Sequence, residues 1–364
     1  MNHSDIAIAG RGVMGLVLAL VATRQGKKTI LLGQPPEEEK MARMIALSYD
    51  SAEFLSELGI FSRIQDVTPI REVKIMDGKH TVSLHAHELQ LPALGYTCAY
   101  RDIYTACQGA DIAPSSDHLP LKISGTRHYL ALLNEEAITT KLLAITTPVA
   151  LPKSHYQPLR QATIITAFAE HTPLEQAFEI FTEKGPVALL PCANGIFIVA
   201  SLQEHDAILL ENAAENGQAQ FLQALVAPAQ IQLQQPKFLQ RLSFTARYCK
   251  EKPRPRRIVL GDAWHALHPI GAQGLNLGLR DIRAFQTVLG SFADPGDEKA
   301  IKTFYRLRED DVLLTLGLTQ TLYFLSTGPF LARFTQRTVI DALSSFSPLR
   351  RFFFEHTVYG WSEI

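Results

Sequence analysis

The opening residues of this chain leave few folds available. Asp5-Ile-Ala-Ile-Ala9 is a short apolar run, and Gly10-Arg-Gly12-Val-Met-Gly15 follows it at once. Leu16 to Arg24 carries a helical pattern, Gly26 closes it, and Lys28-Thr-Ile-Leu-Leu32 reads as a second strand. A Gly-x-Gly-x-x-Gly run is weak evidence alone, but strong between strand and helix in a strand–helix–strand unit. Its glycines permit a tight turn, close approach of a pyrophosphate, and close packing of helix on sheet. The unit predicts an α/β fold with a doubly wound sheet and a dinucleotide held at Gly10, Gly12 and Gly15. The acid that grips a ribose from the end of the second strand is missing, because Gly33 stands there. Glu37, Glu38 and Glu39 lie beyond two prolines and read as a solvated acidic run.

A second stretch has the complementary chemistry. Arg257-Ile-Val-Leu260 reads as a buried strand that runs into Gly261-Asp262, and Pro269 and Gly271 then break the backbone. From Gly274 a helix begins, with Leu275, Leu279, Ile282 and Phe285 on one face. A strand thus delivers an acid, a stiff loop follows, and a helix N-terminus with open N–H groups faces what lies beyond. Asp262 is placed to accept ribose or ribityl hydroxyls, and Gly261, Gly274, Leu275 and Asn276 join it as candidate cofactor contacts.

This stretch, Gly261-Asp-Ala-Trp-His-Ala-Leu-His-Pro-Ile-Gly-Ala-Gln-Gly-Leu-Asn-Leu-Gly-Leu-Arg-Asp281, resembles the third signature of the aromatic-ring flavin monooxygenases with the para-hydroxybenzoate hydroxylase fold. Among them it is most similar to the ubiquinone-biosynthesis hydroxylases, closest to the 2-polyprenyl-6-methoxyphenol hydroxylases. Trp264 replaces a small residue, and Gly271-Ala272 inverts the usual Ala-Gly. Arg43-Met-Ile-Ala-Leu-Ser48, Leu94-Gly-Tyr96 with Arg101, and Phe178 to Pro191 resemble further family motifs. The resemblance implies that Arg43 lies near the cofactor phosphates or the flavin and that Arg101 is a cofactor contact. Thr146-Thr147-Pro148 stands where the family carries Ala-Asp-Gly, a motif linked to FAD and NAD(P)H binding.

Pattern changes divide the chain. Val73, Ile75, Val82 and Leu84 alternate around Asp77-Gly78, a hairpin signal, and alternation returns from about residue 162 to 201. The expected organisation is an FAD-binding domain in three parts (1–69, 96–150, 246–300) interleaved with an antiparallel-sheet substrate domain (70–95, 151–245), and a C-terminal helical region (301–364). Residues 109–129 read as loop, Asn212 to Leu225 as helical.

Net charge is −1, which gives no argument for a nucleic-acid partner. The four cysteines are scattered without metal or redox spacing, so no metal and a reduced, cytoplasmic setting are expected. No secretory leader is expected ahead of the first strand. The apolar run Val312 to Leu325 is short for a bilayer span. Arg350-Arg351 beside Phe352, Phe353 and Phe354 suits either peripheral contact with a membrane or an aromatic plug in the core.

The function implied by the resemblance is hydroxylation of the aromatic ring of a polyprenyl phenol, with FAD as cofactor, NAD(P)H as electron donor, and dioxygen. A biosynthetic complex or homo-oligomer fits the same setting. No catalytic residue stands out, although His265 and His268 are the nearest candidates for a proton relay. Gly33, Thr147-Pro148 and Ala272 keep a second class open: a member that binds FAD weakly, or not at all, and serves as a lipid-binding or scaffold component. On this reading Gly33→Glu restores a ribose contact and tightens FAD.

Overall fold

The computed structural model describes residues 2–109, 114–119, 122–125, 129–133, 137–172, 174–250 and 254–361. Its first layer is a seven-stranded sheet. Asn2–Ala9 lies at its centre, parallel to Thr29–Leu32 on one side and to Ala137–Ile145 on the other. Arg257–Val259 joins Ala137–Ile145 in parallel, while Leu130–Leu133 and Lys122–Gly125 extend the edge antiparallel. The central strands are buried on both faces, which is why they read as continuous apolar runs. The helix Val13–Arg24 is buried from Val13 to Ala22 and therefore shows no polar face. It packs against the helices Tyr100–Gln108 and Gln273–Ser291.

The second layer is an eight-stranded sheet in which Tyr156–Glu170 pairs with both Gly195–Leu202 and Gln234–Cys249. One face is covered by Glu204–Asn212 and Glu215–Val226, whose Ala207, Leu210, Leu222 and Leu225 pack on Ile165, Ile180 and Ile198. The stretch Asn212 to Leu225, read as helical, carries Glu215–Val226; the extended Ala213 and Ala214 separate it from Glu204–Asn212. The other face meets the turn at Ile270, where Ile164 and Val199 pack with Ile270 and Tyr323. His265–Ala266 pairs with Gln234–Cys249, so the 257–281 stretch touches both sheets. The hairpin Glu72–Asp77/His80–His85 completes this sheet through a parallel pairing with Gln176–Thr182.

Three C-terminal helices, Glu298–Thr327, Phe330–Ser345 and Ser347–Tyr359, close the molecule. The stretch 109–129, read as loop, carries strands at Ser115–Ser116 and Lys122–Gly125, and parts of it lie outside the described residues. Of the three phenylalanines near the end, Phe354 is buried, Phe353 half-buried and Phe352 exposed, so the cluster is partly plug and partly surface.

Candidate cofactor and substrate site

The glycine loop closes as its sequence requires. Gly10 has φ +128, and a Cβ there would meet Thr146 Oγ1 at 2.2 Å; one on Gly15 would meet the Gly10 carbonyl at 1.9 Å. Thr146 is thus part of the loop: its N–H and hydroxyl both donate to the Ala9 carbonyl. Gly12 forms the N-cap of the buried helix without a side-chain cap. A Cβ on Gly12 would meet the Tyr100 hydroxyl at 2.9 Å, and that hydroxyl accepts the Val13 N–H at 3.1 Å.

Arg43 and Asp262 converge on the same place. The Tyr100 N–H donates to the Arg43 carbonyl at 2.8 Å, and both the Arg43 and Asp262 charges act on the Tyr100 ring. Burial pushes the Tyr100 hydroxyl up to about 12, so it stays neutral. Arg43 Nε is buried without a hydrogen bond, and Asp262 is exposed just past the end of Arg257–Val259. Arg101 does not join them; it is exposed and pairs with Glu38.

At the other end of the stretch the backbone turns through two left-handed residues, Gly271 (φ 66) and Ala272 (φ 51). Asn276 fixes this turn: its Nδ2 donates to the carbonyls of Ala272 and Ala46, and its Oδ1 accepts the Ser48 N–H. The Asn276 side chain therefore anchors the loop. Leu275 packs against the main core, whereas a Cβ on Gly274 would meet nothing within 4 Å, so that helix start is open. Gly261 (φ +58) lies against Met14, where a Cβ would meet Cε at 3.0 Å, which holds the acid-bearing turn on the buried helix.

Both histidines of the stretch are buried. His265 is fully buried with its Nε2 2.8 Å from Asp281 Oδ2. His268 is fully buried and stacks on Tyr323 with ring centroids 4.0 Å apart; burial lowers its pKa to about 4, so it is neutral. Trp264 fills space against Phe304 and Tyr305, which is how the chain accommodates a large residue there.

The departure at Gly33 has a physical explanation. Gly33 has φ +103, and a Cβ there would meet Leu119 Cδ2 at 3.1 Å, so a glutamate is not simply restored at this position. The end of the second strand is instead engaged by Arg11, which pairs with Asp117 and donates to the Gly33 carbonyl at 3.3 Å.

No sequence motif singles out Glu179. Its Oε2 accepts the Gly271 N–H in a long contact of 3.4 Å. It lies in a cross-strand row, Ile75–Glu179–Ala188–Val199–Thr166–Gln240, on the sheet face that meets the Ile270 turn. Part of the residue meets solvent, yet desolvation of the carboxyl pushes it up to about 7 against the downward pull of that N–H. Thr166 Oγ1, in the same row, is buried without a hydrogen bond.

A flavin dinucleotide fits these residues. The loop offers bare backbone, Arg43 an unbonded buried N–H, Asp262 a free carboxylate, and the Gly271–Gly274 turn an open edge beside the second sheet. Residues 153–312 match the FAD binding domain family. The chain is 27% identical over 350 residues to the 3-demethoxyubiquinol 3-hydroxylase of Escherichia coli K12, covering 86% of this chain and 88% of that one. It is 25% identical over 394 residues to the ubiquinone hydroxylase UbiL of Rhodospirillum rubrum, covering 98% and 89%. Among solved structures, the p-nitrophenol 4-monooxygenase PnpA of Pseudomonas putida DLL-E4 superposes with a TM-score of 0.77 at 15% identity, with 99% of each chain covered. Klebsiella pneumoniae HpxO complexed with FAD and uric acid gives 0.74 at 16% identity over 98% of this chain and 97% of that one. The fold is that of the FAD-binding monooxygenases. In sequence, the chain is similar to the ubiquinone hydroxylases of these two bacteria.

Proposed function

We propose that this protein is an FAD-dependent monooxygenase of ubiquinone biosynthesis that hydroxylates the ring of a polyprenyl phenol, with NAD(P)H as electron donor. The observation that carries the reading is the joining of two sites by one stretch. Asp262 acts on Tyr100, whose hydroxyl stands beside Gly12 of the glycine loop, and ten residues on, the Gly271–Ala272 turn meets Glu179 of the second sheet. The bound flavin supplies the oxygen-transfer chemistry; the protein supplies position, desolvation and proton handling.

In this reading Gly10, Gly12, Gly15, Arg43 and Asp262 hold the dinucleotide, and the 270–274 turn orients its ring end. Arg101, exposed and paired with Glu38, supports this region from the rim rather than by direct contact. Glu179 accepts the phenol proton, because a ring bearing a phenolate is the better nucleophile and a base with a pKa near the working pH is the efficient one. Ile164, Val199, Leu242 and Phe244 line an apolar region that suits a prenylated ring.

A prenylated substrate also gives a role to the exposed corner between the first two C-terminal helices. Phe330, Leu331 and Phe334 are 79%, 72% and 57% exposed there, beside Arg333. Peripheral contact with a membrane would cover them and bring the substrate within reach. Among the described residues no helix is long and apolar enough to cross a membrane.

The test is NAD(P)H oxidation by the FAD-loaded protein with and without a short-chain polyprenyl phenol. Oxidation stimulated by the phenol, with an oxygenated product, supports the proposal. FAD binding with no phenol-dependent turnover would favour the scaffold reading.

A further inference from the structure

The geometry points to Tyr100 as a resident competitor for the pyrophosphate position, one that sets the affinity for phosphate-bearing flavins. This deepens the proposed function and rests on FAD being the ligand of the glycine loop. The first N–H groups of a helix have no intrahelical partner and form the natural seat of an anion. Here the helix Val13–Arg24 has twelve residues and a glycine N-cap that contributes no side-chain cap. One of its open donors, the Val13 N–H, is taken by the Tyr100 hydroxyl at 3.1 Å. The same oxygen would lie 2.9 Å from a Cβ on Gly12, so it stands over the glycine whose bareness lets phosphate approach.

The backbone around Tyr100 makes this placement specific. Tyr100 opens the helix Tyr100–Gln108, and its own N–H is tied to the Arg43 carbonyl at 2.8 Å. Its ring is thereby brought among Gly12, Val13, Arg43 and Asp262, the groups that would surround a pyrophosphate. A phenol oxygen and a phosphoryl oxygen are interchangeable acceptors for one N–H, and the charged acceptor makes the stronger bond. FAD therefore displaces the hydroxyl, but its net gain is reduced by the bond it replaces. A flavin without phosphate has no claim on that N–H and leaves Tyr100 in place.

Tyr100→Phe removes the competing oxygen and keeps the ring; Tyr100→Ala removes both. A net hydrogen bond of this kind is worth roughly a three- to tenfold change in affinity. The experiment is titration of FAD and, separately, riboflavin into wild type and both variants, followed by flavin fluorescence, with circular dichroism confirming the folded state. The expected result is FAD Kd lowered by roughly that factor in Tyr100→Phe and at least as far in Tyr100→Ala, with riboflavin unchanged. FAD binding that is unchanged or weaker in both variants overturns the competitor while leaving the FAD reading intact. Equal tightening of riboflavin also overturns it, since the ring would then merely shield the flavin end. Absence of FAD binding in all three proteins overturns both readings together.

Discussion

His265 Nε2 lies 2.8 Å from Asp281 Oδ2, and the same carboxylate oxygen accepts the Gly261 N–H at 2.9 Å. The first, fifth and last residues of the Gly261–Asp281 stretch are thereby drawn into one contact. Arg308 of the long C-terminal helix binds the other oxygen at 3.0 Å, and Asp311 joins Arg308 to Arg280. The Trp361 N–H closes the network on Asp311 at 2.9 Å. All of these charged side chains are essentially inaccessible to water. The Gly261–Asp262 turn is thus held by a buried ionic cluster rather than by contacts of the Asp262 side chain.

Removing one member of such a cluster leaves a buried charge uncompensated, which costs about 3–5 kcal/mol. Asp281→Asn leaves Arg308 paired with Asp311 alone and weakens the hold on His265. We expect its stability in urea to fall by that amount, and FAD to bind less well because the Gly261–Asp262 turn loosens. A loss below about 1 kcal/mol would mean the cluster contributes little to stability.

The cluster also sets acid stability. Burial pushes the Asp311 carboxyl upward, but Arg280 and Arg308 outweigh it and hold it at about 2, below its ordinary 3.8. Burial pushes Asp281 upward too, and His265 and Arg308 bring it below its ordinary value. A carboxylate with a depressed folded-state pKa stabilises fully above its unfolded value and loses that contribution as pH falls through the folded one. The expected outcome is acid unfolding that steepens as pH drops from about 3.8 toward about 2, reduced in slope by Asp311→Asn. Equal slopes in the two proteins would contradict it.

Ala272 occupies the left-handed region at φ 51, ψ 34, where a Cβ costs about 1–2 kcal/mol. Glycine relieves this but gains freedom in the unfolded chain worth about 0.4–1 kcal/mol. Ala272→Gly is therefore expected to stabilise by about 0.5–1 kcal/mol, read as a higher denaturant midpoint. At Gly33 the sign is opposite: with φ +103 and Leu119 close by, Gly33→Glu is expected to destabilise by about 1–3 kcal/mol and not to tighten FAD.

Glu179 gives a pH signature. With its carboxyl near 7, phenol-dependent turnover should rise with pH through that value as the base form appears. Glu179→Gln should lose this limb and lower kcat by roughly 100-fold or more, in the range for a general base. A variant that keeps the wild-type pH profile would remove Glu179 from proton transfer.

The parallel sheet and its glycine loop were legible because strand, turn and helix signals agreed over a short span. The 257–281 stretch was legible as a unit, but the reason for its length was not. Asp281 closes back on His265 sixteen residues earlier, a pairing that no helical or strand period announces. Tyr100 and Glu179 were hidden for the same reason. Tyr100 meets Val13 across eighty-seven residues, and Glu179 meets Gly271 across ninety-two. A local signal existed for each: a tyrosine opening a helix beside Arg101, and a lone acid between Phe178 and Ile180 in an apolar strand. Thr146 read as the loss of a family motif, yet its hydroxyl packs into the glycine loop and replaces local contacts rather than merely deleting them.

Oxygen transfer to a phenol ring is tested most directly by product analysis under isotopically labelled dioxygen. The FAD-loaded protein is incubated with NAD(P)H and a short-chain polyprenyl phenol, and the organic extract is analysed by mass spectrometry. A ring-hydroxylated product carrying one labelled oxygen is the predicted result. NAD(P)H consumed with no labelled product, or no consumption by a protein that has bound FAD, would contradict it.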